Sequence, residues 1–178
     1  IALDGDQTFQ KIGIADLDGD GACDYVIKQP NANIDPWHKY WKKSPDTYTL
    51  AAYAGGKRLW RYDMGWAIER GIWYSPYVVY DFDGNGKAEV AVKSGEGDPR
   101  DDEGKVRSGP GYLTILDGMT GKPVARAGWP SRELFAQQSR GYNYASRNQL
   151  GVAYLDGRTP CLIVERGTYN VIVVDAYE

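Results

Sequence analysis

The sequence predicts an all-β protein made of β-propeller blades, which are four-stranded antiparallel units, set with calcium loops. Short apolar runs rich in Val, Ile and Tyr are bounded by Gly and Asp turns, as expected of strands. The pattern recurs along the chain, and no stretch has a helical period. Because a four-stranded unit cannot bury both of its faces alone, repeated units need neighbours on each side. We therefore expect a segment of a larger propeller.

The first recurring feature is an acidic loop at residues 16–24, where carboxylates alternate with glycines at the turning points. Calcium takes about six to eight oxygen ligands, which such a short loop can supply. The predicted ligands are the carboxylates of four aspartates and a backbone carbonyl: Asp16, Asp18, Asp20, Asp24 and the carbonyl near Ala22. The alternative is an Asp/Gly-rich turn without an ion, but four clustered carboxylates would then repel one another.

The second acidic loop spans residues 81–89 and repeats the pattern 65 positions further on. Its predicted ligands correspond to those of the first loop: Asp81, Asp83, Asn85, Lys87 at the position of Ala22, and Glu89. Strand-like runs follow both loops directly, whereas an EF-hand needs flanking helices and a glutamate at loop position 12. The sequence therefore predicts two Ca²⁺ sites that are not EF-hands.

Three units follow from this repeat, at about 10–63, 76–127 and 150–178. In each, a strand leads into the loop, a second strand leaves it, an insertion follows, and a hairpin is predicted at 48–62 or 112–126. In the third unit Tyr154 replaces the first aspartate, and residues 158–161 carry no carboxylate, so we expect no metal there. That unit stops one strand short, after runs at 162–164 and 171–177.

Composition sets further expectations. The chain has 178 residues, a net charge of −3, 42% hydrophobic and 25% charged residues, which predicts a domain with a real core. The charge argues against a nucleic-acid partner, and no apolar run is long enough to span a membrane. The chain begins at Ile1 without a signal sequence, which predicts a processed product or a piece of a longer protein. Loops suited to millimolar calcium favour a secreted protein.

The two cysteines, Cys23 and Cys161, occupy similar places in the first and third units. A disulfide requires Cα atoms within about 7 Å, and a whole unit lies between them. We therefore predict two free thiols.

The insertions at 29–43 and 94–108 leave the repeat at the same point, so both should project from the same face. The first is polar apart from Trp37, Tyr40 and Trp41. The second is too acidic and Gly-rich to pack into a core.

Several segments, read in order, resemble the rhamnogalacturonan lyases of polysaccharide lyase family eleven: residues 80–90, 153–157 and 165–169. The resemblance covers nearly the whole chain. It implies a secreted, calcium-rich eight-bladed propeller that cleaves the rhamnose–galacturonate backbone of pectin by β-elimination. This chain would then be about the first third of the propeller, and activity would need the remaining blades. The insertion at 37–41 departs from the family pattern, so we expect a difference in substrate or cleavage mode.

Elimination at a uronate requires removal of the C5 proton and a cation for the neighbouring carboxylate. Ca²⁺, Arg or Lys can supply the cation, and Lys, His, Tyr or Arg the base. The candidate catalytic residues are Lys28 and Lys93, at equivalent strand ends, Arg166, one position later in the third unit, and the single histidine His38. We predict that the three cations gather on one face. The alternative is that they pair with carboxylates or reach solvent, and that His38 is incidental.

Aromatic and polar side chains near the insertions are candidates for binding an acidic polysaccharide: Trp37, Tyr40, Trp41, Tyr169 and Asn148. The aromatic rings either stack on sugars or hold their own loop in place. Two functions stay open: a lyase acting on rhamnogalacturonan or another uronate polysaccharide, and a non-catalytic calcium-stabilised propeller for carbohydrate or protein adhesion.

Overall fold

The computed structural model describes residues 1–3, 8–137 and 140–178. These residues form three antiparallel sheets with almost no helix, which confirms the all-β prediction. Sheet 1 has four strands in chain order: β1 (Lys11–Ala15), β2 (Asp24–Gln29), β3 (Thr49–Ala54) and β4 (Lys57–Asp63).

Sheets 2 and 3 have the same meander topology. Sheet 2 has four strands: β5 (Tyr77–Tyr80), β6 (Glu89–Gly95), β7 (Gly111–Leu116) and β8 (Pro123–Gly128). Sheet 3 has three: β9 (Asn148–Ala153), β10 (Cys161–Thr168) and β11 (Val171–Tyr177). Between sheets 2 and 3 lie a 3₁₀ turn, Glu133–Phe135, and a short helix α1, Gly141–Ala145.

The main core lies between sheets 1 and 2. Val26 and Leu50 of sheet 1 pack with Val90, Val92 and Leu116 of sheet 2, and all five are fully buried. Because successive side chains of a strand point to opposite faces, Ala91 points the other way. It packs with Leu113, Trp129, Leu162 and Val164 in a second core between sheets 2 and 3.

The structure tests three further sequence predictions. The insertion at 94–108 is mainly exposed or half-buried, as predicted, but Val106 is buried and the bridge Arg100–Val106 closes the loop. Cys23 is exposed and Cys161 buried, and both are free thiols. Among the described residues, no helix is long and apolar enough to cross a membrane.

Sheets 1 and 2 also meet at the turn between β7 and β8. The indole nitrogen of Trp60 donates a hydrogen bond of 2.7 Å to the carbonyl of Gly118. A Cβ added to Gly118 would lie 1.9 Å from the carbonyl oxygen of Ala88 and 3.2 Å from Leu17. Only a glycine therefore allows this close approach.

We predict that Gly118→Ala destabilises the protein by about 1 to 3 kcal/mol, because the added methyl group forces two backbone segments apart. The measurement is the thermal melting temperature of the full-length protein. Gly128→Ala is the matched control, since nothing lies within 4 Å of a Cβ at that position. Equal melting temperatures for the two variants would contradict the packing argument.

Candidate functional site

The first acidic loop connects β1 to β2 and brings three carboxylates together. Oxygens of Asp16, Asp18 and Asp24 lie within 4.8 Å of one another, while Asp20 lies outside this group. Asp16 accepts backbone bonds from Gly19 and Gly21 at 2.6 and 2.7 Å. These glycines have φ of +83°, a conformation that other residues rarely adopt. The glycine spacing therefore folds the loop around Asp16.

The second loop, between β5 and β6, has the same geometry. Oxygens of Asp81, Asp83 and Glu89 lie within 4.8 Å of one another. Asp81 accepts backbone bonds from Gly84 and Gly86 at 2.8 and 2.9 Å, and Glu89 accepts one from Phe82 at 2.9 Å. Asn85 is bonded within the loop through its side-chain amide, which donates to Asp83 at 2.9 Å.

Both closing carboxylates have raised pKa values. Burial raises the pKa of Asp24, and the neighbouring carboxylates of Asp18, Asp20 and Asp16 raise it further. The pKa of Glu89 is raised by burial and then by Asp83 and Asp81. Converging carboxylates that repel one another fit a hard divalent cation such as Ca²⁺, which takes only oxygen ligands. The donor set of each loop therefore fits the predicted metal.

The corresponding loop of sheet 3 differs. Asp156 is exposed and uses both oxygens on its own turn, accepting bonds from Arg158, Thr159 and the Thr159 hydroxyl at 2.7 to 2.9 Å. Tyr154, at the position of the first aspartate, shares a hydrogen bond with Tyr80. Among the described residues, no group of carboxylates converges in this loop.

The cations proposed for catalysis are all buried. Lys28 is 1% exposed and donates to the carbonyl and hydroxyl of Ser75 at 2.7 and 3.0 Å. Its ammonium lies 4.9 Å from the centre of the Tyr48 ring. Burial, with a smaller contribution from Lys11, lowers the pKa of Lys28 to about 7.

Lys93 and Arg166 lie together in a different place, a cavity of about 520 Å³ between sheets 2 and 3. They are 5% and 3% exposed. Burial lowers the pKa of Lys93 well below its usual range, and the charges of Arg166 and Arg132 lower it further. Burial also lowers the pKa of Arg166 to about 9, which leaves the guanidinium charged at neutral pH.

The pleat explains why only two of the three cations meet. Lys28 shares its face of β2 with Val26, which packs toward sheet 2, and Lys93 shares its face of β6 with Ala91, which packs toward sheet 3. A shift of one residue along a strand turns a side chain to the opposite face. Arg166, one position later, therefore points back toward sheet 2 and Lys93.

Three further residues lie around this cavity: Arg132, Glu69 and Tyr142. The sequence placed Tyr142 in a polar-aromatic stretch that could line this face, but it did not single out Arg132 or Glu69. Arg132 lines the cavity and donates to the Ser146 hydroxyl at 3.2 Å. Glu69 is 3% exposed and accepts bonds from the backbone of Val106, at 2.7 Å, and from the Tyr142 hydroxyl. Burial raises the pKa of Glu69. All three lie in connections between predicted units, where the repeat pattern gives no signal.

The two insertions contact each other, as expected of loops that leave one face. The indole nitrogen of Trp41 donates to the carbonyl of Glu103 at 3.0 Å, and its ring packs edge-on against Tyr74 and Tyr142. Trp41 thus holds the insertions together. Tyr40 is 51% exposed, and Trp37 makes edge contacts with His38 and Tyr40 at 5.6 and 5.4 Å. His38 and Trp37 line a cavity that also includes Arg107 and Tyr142.

The two other candidates for sugar binding differ in their exposure to solvent. Asn148 is buried, and its amide accepts from Trp129 at 2.9 Å and donates to Trp73 and Ser146 at 3.2 and 3.0 Å. Asn148 therefore positions its neighbours. Tyr169 is 72% exposed, has φ of +61° in the β10–β11 turn, and packs against Tyr144 at 5.3 Å. Its exposed ring is free to stack on a ligand.

The fold and sites together define an all-β protein with two acidic loops suited to a divalent cation and a buried cationic cavity between two sheets. A family model described as rhamnogalacturonan lyase family 11, C-terminal domain, matches residues 6–178. The chain therefore belongs to rhamnogalacturonan lyase family 11.

Individual proteins of this family are similar along most of the chain. The Bacillus subtilis (strain 168) rhamnogalacturonan endolyase YesW is 37% identical over 185 residues, covering 92% of this chain. The exolyase YesX of the same strain is 35% identical over 184 residues, covering 93%. The crystal structure of the exotype rhamnogalacturonan lyase YesX has a TM-score of 0.88 at 33% identity, covering 96% of this chain and 31% of that one. The chain spans 29% of the length of each of the two curated relatives.

The acidic loops lead to a first prediction for this site: Asp83→Asn weakens calcium binding, because it removes one of three converging charges. A site saturated at 10 to 100 times its dissociation constant stabilises the fold by about 1.4 to 2.7 kcal/mol. The melting temperature of the full-length protein should fall with excess chelator, and by less in Asp83→Asn. Asp156→Asn, in the loop without converging carboxylates, should respond as the wild type does. A melting temperature that does not change in excess chelator would refute the calcium sites.

The buried amine of Lys28 leads to a second prediction, for the pH dependence of stability. Above pH 7 the folded state loses the Lys28 proton while the unfolded chain keeps it up to about pH 10.4. Stability therefore rises with pH through this window, with a slope of at most about 1.4 kcal/mol per pH unit from one group.

Lys28→Met should flatten part of that rise, measured by denaturant unfolding at several pH values from 7 to 10. Lys57→Met, at the exposed start of β4, is the control and should retain the wild-type profile. An identical slope in Lys28→Met and wild type would show that the amine is not desolvated as the structure implies.

Proposed function

We propose that the full-length protein is a polysaccharide lyase that cleaves rhamnogalacturonan, or a related uronate-containing polysaccharide, by β-elimination. The observation that carries the proposal is the family match, which extends over residues 6–178. Relatives named as an endolyase and an exolyase are 37% and 35% identical, so these identities favour neither cleavage mode. They give no support to the alternative of a non-catalytic adhesion module.

We further propose that the three sheets are blades of a β-propeller, with units at about 10–63, 76–127 and 150–178 completed by the rest of the protein. Consecutive meanders that pack face to face support this arrangement. Acidic loops suited to millimolar calcium support secretion. The partners would be an acidic polysaccharide and the remaining blades.

Calcium in the two loops would have a structural role. Each loop ends in a carboxylate at the start of a strand, and a buried lysine lies toward the other end of that strand. The pairs are Asp24 and Lys28 on β2, and Glu89 and Lys93 on β6. Four residues of strand span about 13 Å. An ion in either loop is therefore too far away to coordinate a carboxylate beside Lys93, so Arg and Lys would neutralise the substrate in this part of the protein.

Within the cavity, the two buried groups suit different steps of the elimination. Arg166, which stays charged, would stabilise the negative charge that develops on the uronate carboxylate. Lys93, whose pKa is lowered by burial, would supply a neutral amine that removes the C5 proton. Lys28 and His38 line other cavities, so neither would contact the uronate that loses its C5 proton. They would instead bind other sugar units of the polymer or position neighbouring side chains.

The proposal predicts that the full-length protein releases products with unsaturated uronate absorbance from rhamnogalacturonan. Lys93→Met should reduce kcat by about 100-fold or more, which is the usual contribution of a general base, while keeping most of the side chain's packing. Lys122→Met, in the exposed β7–β8 turn of the same sheet, is the control and should keep wild-type turnover. Wild-type kcat in Lys93→Met would remove Lys93 from the mechanism, and absence of unsaturated products from the wild type would refute the lyase.

A further inference from the structure

We propose that the two acidic loops bind their calcium ions cooperatively, so that an ion in one loop raises the affinity of the other. This inference rests on the structural role of calcium proposed above and adds that the two sites depend on each other. One backbone hydrogen bond connects the loops: the N–H of Ala88 donates to the carbonyl of Asp16 at 2.8 Å. We call it the inter-loop bond.

The inter-loop bond connects the ligand sets of both loops. Asp16 offers its carboxylate to the first ion, while its backbone carbonyl accepts the bond from Ala88. Ala88 lies between Lys87 and Glu89, whose backbone carbonyl and carboxylate are predicted ligands of the second ion. A change in position of either ligand segment therefore moves a residue that is bonded to the other segment.

The closing carboxylate of each loop also acts on the inter-loop bond. The Oδ2 atom of Asp24 accepts the backbone N–H of Leu17, the residue after Asp16, at 3.0 Å. Glu89 directly follows Ala88, so an ion in the second loop fixes the inter-loop bond through the chain itself. An ion that draws a closing carboxylate into its loop thus holds a residue next to this bond.

The residues around the inter-loop bond lie in the main core. Leu17 and Ala88 are 0% and 3% exposed, and both belong to the core between sheets 1 and 2. A Cβ on Gly118 would lie 1.9 Å from the Ala88 carbonyl oxygen and 3.2 Å from Leu17, so the segments are in close contact. Because protein interiors are close-packed, a shift of one segment displaces the other.

A side chain makes a second contact between the loops, on the solvent side. A Cβ placed on Gly19 of the first loop would lie 3.3 Å from the Cγ and Cε atoms of Lys87. Gly19 donates its N–H to the Asp16 carboxylate at 2.6 Å, so Lys87 covers the turn that holds this ligand. Lys87 thus offers its carbonyl to one ion and its side chain to the loop of the other.

Two opposing effects set the sign of the coupling. An ion that orders its loop also orders the inter-loop bond, so the second ion costs less conformational entropy on binding. The charge of a first ion weakens the attraction for the second, but three converging carboxylates exceed its two positive charges. The remainder is screened by salt, because residues 19–23 and 83–87 are exposed. We expect ordering to prevail and to raise affinity about fivefold or more, equally in both directions.

The test counts the calcium ions bound to the full-length protein by equilibrium dialysis, below saturation. It uses about 1 M potassium chloride, where a Debye length of about 3 Å suppresses the plain effect of removing a charge. Asp18→Asn weakens the first site, Asp83→Asn the second, and the double variant both, while any other sites contribute equally to all four proteins. The losses of bound calcium in the two single variants should add up to more than the loss in the double variant. Asp156→Asn, in the corresponding loop of sheet 3, is the matched control and should bind as many ions as the wild type.

Hydrogen exchange tests the inter-loop bond directly, because amide protection is lost where a segment opens. At one calcium concentration, Asp18→Asn should raise exchange in residues 81–90, although its own substitution lies in the first loop. Asp83→Asn should likewise raise exchange in residues 16–24, and Asp156→Asn should change neither segment.

Additive losses of bound calcium, or unchanged exchange in the unsubstituted loop, would each overturn the coupling and leave two independent calcium sites. Equal calcium content in the wild type and the double variant would overturn the sites and the coupling with them. If a variant fails to fold, a calcium titration of the wild type decides. Exchange of both loops should then slow over the same calcium range with a Hill coefficient above 1, and a coefficient of 1 would overturn the inference. None of these measurements uses turnover, so they leave the lyase proposal to its own test.

Discussion

The connection between sheets 1 and 2 runs through the interior, and the arrangement of all three sheets depends on how its carbonyl groups are satisfied. Buried backbone carbonyls need donors, because desolvating them without a hydrogen bond is unfavourable. Each sheet supplies one: Asn148 of β9 binds the carbonyl of Trp73, Lys93 of β6 that of Tyr74 at 3.4 Å, and Lys28 of β2 that of Ser75. Three consecutive carbonyls thus link three sheets through side chains placed at strand ends.

This arrangement explains why the lysines are buried without carboxylate partners. An ammonium group that donates to carbonyls and lies over an aromatic ring is partly compensated, and both Lys28 and Lys93 have such rings, Tyr48 at 4.9 Å and Trp129 at 5.5 Å. The compensation is incomplete, so burial lowers both pKa values. The same burial that makes Lys93 useful to the fold favours the neutral form of the amine, which the proposed elimination requires.

The sequence predicts the local features well and the long-range ones poorly, for physical reasons. The acidic loops fold through contacts within nine residues, so Asp16 and Asp81 are recognisable from their spacing alone. The strands follow from alternation of apolar residues. Arg132 and Glu69 reach the cavity only through tertiary packing of the connections between sheets, which leaves no periodic signal. The sequence did show that Arg166 lies one position later in its unit than Lys28 and Lys93 do in theirs. Its consequence is that the Arg166 side chain points to the opposite face of its sheet.

The separation of charge along β2 and β6 gives the two candidate sites different tasks. Each strand begins at a carboxylate cluster and ends at a buried cation, and the span of about 13 Å between them exceeds the Debye length of about 8 Å at physiological ionic strength. An acidic polymer approaching the cationic ends would still meet a chain with a net charge of −3. Calcium bound at the acidic ends lies beyond that screening length, so it would neutralise the carboxylates around it and tie the strand ends together. The ion would thus act on the fold, and the cations at the other ends of β2 and β6 would act on an anionic substrate.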